Sequence, residues 1–161
     1  MLTLALPHDI QAKLHAALRS AGKREIGGVL MAEHVGPNRF EVMDLTVHRR
    51  GAIASFIRRI EDALGRLQAF FSSTGNQYSK FNYIGEWHSH PMFAPEPSRT
   101  DDISMHQIAD DPDVGANFVV LLIVKLDSSG ALVGVVHTYL PGGIKHRSSV
   151  DFTTKMNHGG S

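Results

Sequence analysis

Cysteine is missing from all 161 residues. Its absence excludes disulfides and thiolate metal cages, so redox chemistry does not fix the compartment, and a cytoplasmic location suits the chain. An excess of charge is missing too, because 16 Lys and Arg balance 16 Asp and Glu. That balance gives no reason to expect electrostatic capture of nucleic acid or of an anionic membrane, so partners have to be recognised by shape. Long apolar runs are also absent: the longest, Phe118 to Val124, falls far short of the roughly 20 residues that span a bilayer. The opening Met1 to Pro7 carries neither the basic start nor the length of a secretory signal. These lacks predict a soluble cytoplasmic protein that binds neither nucleic acid nor membrane. No internal repeat interrupts the chain, and its length suits one domain that buries a core without staples.

What is present reads as strands and helices in alternation. Leu2 to Leu6 has the look of a strand ended by Pro7. From Asp9 the spacing of Ile10, Leu14, Ala17 and Leu18 predicts a helix, with Gly22 at its end. Glu25 to Glu33 and Arg39 to Val47 predict a hairpin around Gly36-Pro37-Asn38. Between His48 and Arg59 we expect a strand, and Arg49, Arg50, Arg58 and Arg59 read as a solvated, partner-facing rim. Ile60, Leu64, Leu67, Phe70 and Phe71 mark a second helix ending at Gly75. Tyr83 and Ile84 lead a central strand into His88, and Trp87 is expected to pack on the face opposite the histidines. A third helix starts near Thr100, with Ile103, Met105 and Ile108 as its buried side. Phe118 to Leu126 and Leu132 to Leu140 form a closing hairpin, apolar enough to be buried on both faces. One domain over 1–145, then a flexible tail over 146–161, is the expected division.

The stretch from Gly85 to Asp101 concentrates the chemistry. Side chains two apart on an extended backbone point to one side, so His88 and His90 can grip one cation together, and Asp101 can supply a third ligand. Three protein ligands with a fourth position left to water is the arrangement of a catalytic zinc, whereas structural sites close all four positions. In a chain with ten histidines one His-x-His pair is more often surface or core than ligand, so the surrounding pattern has to decide. No His-Glu-x-x-His, no Cys-x-x-Cys and no Gly-x-Ser-x-Gly elbow is present. A barrel amidohydrolase, which also opens with His-x-His, needs about 250 residues.

His88, His90, Pro91, Ser98 and Asp101 spell H-x-H-P-x6-S-x2-D. This resembles the JAB/MPN metalloprotease family, also called JAMM, at every fixed position. The family places a glutamate upstream in the context E-x-x-G-x-L, and Glu25, Gly28 and Leu30 match it. The resemblance runs from Leu2 to about Leu140. It implies an α/β fold of the MPN/JAB type, a curved mixed sheet packed against about three helices. It also implies a Zn2+ ion on His88, His90 and Asp101, which would lower the pKa of a bound water to about 7 and polarise a carbonyl. Glu25 becomes the candidate general base and acid, with a strand-end charge as its plain alternative. Ser98 becomes the candidate oxyanion donor, with a simple helix cap as the alternative. Spacing favours Asp101 over Asp102 as the ligand. Glu86, on the His88 face, departs from the aromatic residue common at its position; it either backs a ligand or competes as the base. His106 either backs the site or is a surface residue.

Members of the family cleave isopeptide or peptide bonds after the extended, glycine-containing C-terminal tail of ubiquitin or a ubiquitin-like protein. The short chain most resembles single-domain bacterial members, including those encoded in antiphage operons with E1-like and E2-like enzymes. The resemblance thus implies an isopeptidase whose partners are a ubiquitin-like modifier, its conjugates and those operon enzymes. A cell-wall or phage-tail peptidase of the same fold and a non-catalytic MPN scaffold remain alternatives.

Overall fold

A computed structural model of the chain describes residues 1–49, 81–112 and 117–152. The expected helix over residues 60–75 and most of the strand expected before it lie outside the described residues. Among the described residues eight strands and two helices occur in the order β1 (Thr3–Ala5), α1 (His8–Ala21), β2 (Ile26–Gly36), β3 (Arg39–Leu45), β4 (His48–Arg49), β5 (Phe81–Ser89), α2 (Arg99–Asp110), β6 (Val119–Leu126), β7 (Leu132–Leu140) and β8 (Ile144–Asp151). The fold is α/β, as expected. The balance differs, since the described residues are rich in strand and carry two helices rather than about three.

The strands hydrogen-bond in the order β3-β1-β8-β7-β6-β5-β2-β4, and a further pairing of β2 with β3 turns the row back on itself. The sheet is therefore barrel-like, with the short β4 added beside the start of β2. It is mixed: β1 runs parallel to both β3 and β8, and β5 runs parallel to β6. Tight turns serve the local pairings. Asn38 takes φ 53 in the β2–β3 turn, and Asp127 Oδ1 accepts from the Ser129 and Ala131 amides between β6 and β7.

The two helices cover opposite faces. α1 buries Ile10, Leu14, Leu18 and Ala21 in the larger core, which also takes Trp87, Val120, Leu122 and Val124. It touches β3 on one side of the ring and the adjacent β6 and β7 on the other, so it lies in the hollow of the curled sheet. α2 packs on the outer face, where Met105, Ile108 and Ala109 meet Val119, Leu121, Ile123 and Tyr139. Alternate residues of β6 from Val119 to Val124 thus serve two cores, and for this reason that run is continuously apolar.

Three expectations change. Ile103 is 50% exposed, because the buried stripe of α2 runs through Asp101, Met105 and Ile108 at i, i+4 and i+7, and Ile103 falls beside it. The β6–β7 hairpin does not close the fold. Residues 146–151, expected to fray, belong to β8, which pairs with β7 on one side and β1 on the other. Among the described residues no helix is long and apolar enough to cross a membrane.

Candidate metal centre

β5 supplies both histidines. The strand's period of two puts Glu86, His88 and His90 on the outer face and Trp87 and Ser89 on the inner. Trp87 is accordingly in the α1 core, donating its indole N–H to the Thr46 carbonyl at 2.8 Å. Ser89 is fully buried, and its Oγ accepts the Ile26 amide at 3.0 Å. That bond fastens β5 to the start of β2 where the two strands meet the site; nothing in the sequence marks Ser89 for this task.

The loop after Pro91 returns the chain to the histidines, and α2 begins there. Ser98 is its N-cap. The Ser98 side chain accepts from the Asp101 amide at 3.1 Å, and the Asp101 Oδ2 accepts from the Ser98 amide at 2.9 Å. This reciprocal cap holds the Asp101 carboxylate in one position. Oδ2 then lies 3.2 Å from His88 Nε2 and 3.4 Å from His90 Nε2. All three residues are buried, and one donor atom from each lies within 4.8 Å of the others. A four-coordinate ion with bonds near 2.0 Å separates its ligands by about 3.3 Å, so these two separations suit a common cation.

The electrostatics agree. His90 Nδ1 meets the Ala94 carbonyl at 3.1 Å, and as its donor it leaves Nε2 facing Asp101. A neutral ring so oriented presents a lone pair to a carboxylate, a contact that calls for a positive charge between them. The hydrogen bond to Asp101 raises His90 above its ordinary 6.5 in spite of burial, helped by Ala94 and by the charges of Asp101 and Glu25. Burial alone would push Asp101 up, but His88, His90 and the Ser98 amide outweigh it and hold the carboxyl far below its ordinary value. Two nitrogen donors and one oxygen donor, buried and already biased toward positive charge, fit a metal ion.

Glu25 is exposed, just ahead of β2. Gly27 pairs with His88 across the antiparallel β2–β5 ladder, and continuing that register places Glu25 opposite His90 on the same face. Its charge adds a small push to the raised His90, behind the larger effects of Asp101 and Ala94. Gly27 permits this closeness: a Cβ at residue 27 would lie 2.6 Å from the Trp87 carbonyl oxygen and 2.9 Å from His88 Cβ. Ser98 is exposed beside the cluster, and its capping bond uses an oxygen lone pair and leaves the O–H to donate. Asp102 turns away to Tyr139 Oη at 2.5 Å and Lys145 Nζ at 3.0 Å. Glu86 is buried on the histidine face. His106 is half-buried, its ring edge-on to Tyr139 with centroids 5.0 Å apart.

Comparison with known proteins adds identity to this geometry. Residues 7–133 match the family of prokaryotic homologues of the JAB domain. A CD-NTase/cGAS isopeptidase of Enterobacter hormaechei subsp. hoffmannii is 30% identical over 135 residues, which cover 81% of this chain and 72% of the relative. The solution structure of protein DSY2949 from Desulfitobacterium hafniense is similar in fold, with a TM-score of 0.67 at 17% identity over 97% of each chain. With a family match over most of its length, and with two histidines and an aspartate gathered on one face of the curled sheet, the chain belongs to the prokaryotic JAB-domain family.

Proposed function

We propose that this protein is a zinc-dependent isopeptidase that cuts after the C-terminus of a ubiquitin-like protein, releasing it from a conjugate or from a short extension. The observation that carries the reading is the buried meeting of His88, His90 and Asp101, with Glu25, just ahead of the neighbouring strand β2, in register with His90. His88, His90 and Asp101 would hold the ion, which when bound supplies Lewis acidity toward water and the scissile carbonyl.

The chain's own groups do the rest. Glu25 lies outside the buried cluster and accepts the proton of the attacking water, then passes it to the leaving amine. Its exposure suits the role, since a base that serves an incoming substrate must be reachable. The Ser98 hydroxyl, held at the mouth of α2 by its capping bond, donates to the carbonyl oxygen as negative charge grows there. Asp101 is fixed by the amide of Ser98, so the donor and the ligand share one rigid turn. The Enterobacter relative is named as an isopeptidase of CD-NTase/cGAS, which supports a bacterial conjugation pathway with a role in antiviral defence. The cytoplasm suits that role.

The test is cleavage of a ubiquitin-like protein joined through its terminal glycine to an unrelated protein, beside the same fusion with a bulky final residue. We expect zinc-dependent release of the first and little of the second, because a cation held by His88, His90 and Asp101 would have to reach the same carbonyl as Ser98 and Glu25, which would leave little room for a side chain. Equal cleavage of both, or cleavage of cell-wall peptides alone, would overturn the reading.

A further inference from the structure

The three candidate metal donors come from two separate elements. His88 and His90 arrive with the end of β5, and Asp101 with the first turn of α2. Whether they meet at one point depends on where α2 is seated against the sheet. Its apolar underside, Met105, Ile108 and Ala109 on residues of β6 and β7, attracts without direction, and such a contact tolerates sliding along the helix axis. Hydrogen bonds have a preferred length and angle, so they can fix the seat.

Two aspartates tie α2 to the β7–β8 hairpin, one at each end of the helix. At its start the Tyr139 hydroxyl donates to Asp102 Oδ1 at 2.5 Å, and Lys145 Nζ meets the same carboxylate at 3.0 Å. At its end Asp110 Oδ1 accepts from the Gly142 amide at 2.9 Å. The two ties are not equivalent for the site. Asp102 follows Asp101 directly, and its amide donates to the Ser98 carbonyl at 3.0 Å, so it belongs to the same turn as the cap and the ligand. Asp110 stands about 13 Å farther along the axis at 1.5 Å per residue.

Tyr139 is fully buried in the core beneath α2. A phenylalanine would serve that packing, so the hydroxyl is the part that needs an account, and its bond goes to the residue beside the ligand. We propose that Tyr139 is a positioning residue for the metal centre: through Asp102, its hydroxyl sets where the Asp101 carboxylate stands relative to His88 and His90. This rests on the zinc site of the reading above. Tyr139 touches neither the donor atoms nor the substrate. Without the hydroxyl, Asp101 has to be drawn into place as the ion binds, and affinity falls by the cost of that ordering.

The experiment measures the Zn2+ dissociation constant of the full chain by competition with a chromophoric chelator, with no substrate present. Tyr139→Phe keeps the ring and changes no charge. It should raise the constant about 10-fold, the lower end of what losing a group behind a metal ligand costs. Asp102→Ala should raise it at least as much. Adding Tyr139→Phe to Asp102→Ala should then change it by no more than about twofold, because the two residues form one link. Asp110→Ala cuts the distant tie and should leave the constant unchanged, even where its melting temperature drops as far as that of Tyr139→Phe. If Tyr139→Phe does not fold, Asp102→Ala against Asp110→Ala makes the same comparison without touching the core. An unchanged constant in Tyr139→Phe or Asp102→Ala, effects of these two that add, or an equal loss in Asp110→Ala would overturn the proposal and leave the zinc reading standing. A parent protein that binds no Zn2+ would overturn both.

Discussion

α1 and α2 are built on one period and put it to different uses. The buried stripe of α1 is apolar throughout: Ile10, Leu14, Leu18 and Ala21. That of α2 begins with a carboxylate, Asp101, and only then turns apolar at Met105 and Ile108. Their starts differ in the same sense. α1 follows Pro7 with no side-chain cap, whereas α2 starts with the reciprocal bonds between Ser98 and Asp101. Burying a carboxylate costs free energy unless it is paired; here it is paired with two imidazoles and an amide. One helix consolidates the hollow of the sheet. The other presents a polar side chain to a site and accepts a smaller core in return. Stability and chemistry are thus assigned to opposite faces of one sheet, a separation that substitutions can test.

The largest effect is expected on the outer face. His88→Ala removes one of three donors, so metal content should fall to background along with turnover; undiminished metal in the purified variant would break the comparison at its centre. Glu25→Gln should separate binding from proton transfer. Metal should be retained while kcat falls about 100-fold to 10,000-fold, and a wild-type rate would shift the base to Glu86, with Glu86→Gln as the control. On the inner face Leu14→Ala, at a fully buried position, should lower stability by about 2–5 kcal/mol in denaturant titration. Its metal content and its kcat per folded molecule should stay as in the parent.

Ser98→Ala sharpens the same contrast, because Ser98 belongs to both stories. Loss of the cap alone predicts a stability decrease of about 1 kcal/mol and an unchanged rate. A hydroxyl that also serves the oxyanion predicts in addition a kcat loss of about 100-fold, and we expect both.

The smallest effect concerns pH in protein stripped of metal by a chelator. His90 is raised above 6.5, so its pairing with Asp101 stabilises fully below that value and is lost as pH rises through the raised pKa. Asp101 is depressed, so its share is present above its ordinary 3.8 and is lost only as pH falls toward the lowered value. Thermal melting of the stripped protein should therefore show this contribution at its fullest between those two ordinary values and fading above 6.5. Leu14→Ala should shift the whole curve downward without changing its shape.

Much of this could be read from the chain because it follows from short-range geometry. Two residues of spacing on a strand put His88 and His90 on one face and Trp87 on the other. Pro37-Asn38 and the run from Asp127 to Gly130 turn the chain where backbone and side-chain chemistry favour a turn. A three-residue step from Ser98 to Asp101 closes a cap, and the same step delivers Asp101. Each depends on neighbours within one turn or one strand, so local spacing suffices.

The remainder was decided at long range. Ring closure through β2 and β3, and the seat of β1 between β3 and β8, join residues as far apart as Thr3 and Ser149, and no local pattern encodes such a partner. β8 reads as a polar tail because four of its first residues face water, Ile144 to Arg147, and it becomes a strand only because β1 and β7 offer it two ladders. Ile103 could be assigned to a face only once the sheet under α2 was in place. The pairing of His48 with Gly27 is likewise a matter of register between strands separated by the β2–β3 hairpin. By itself, then, the sequence determined how near neighbours are oriented and which candidate groups that orientation brings together. The tertiary structure alone decided which distant groups share a face, because strand pairing is settled by the joint burial of many side chains, and that sum exists only when the whole sheet is assembled.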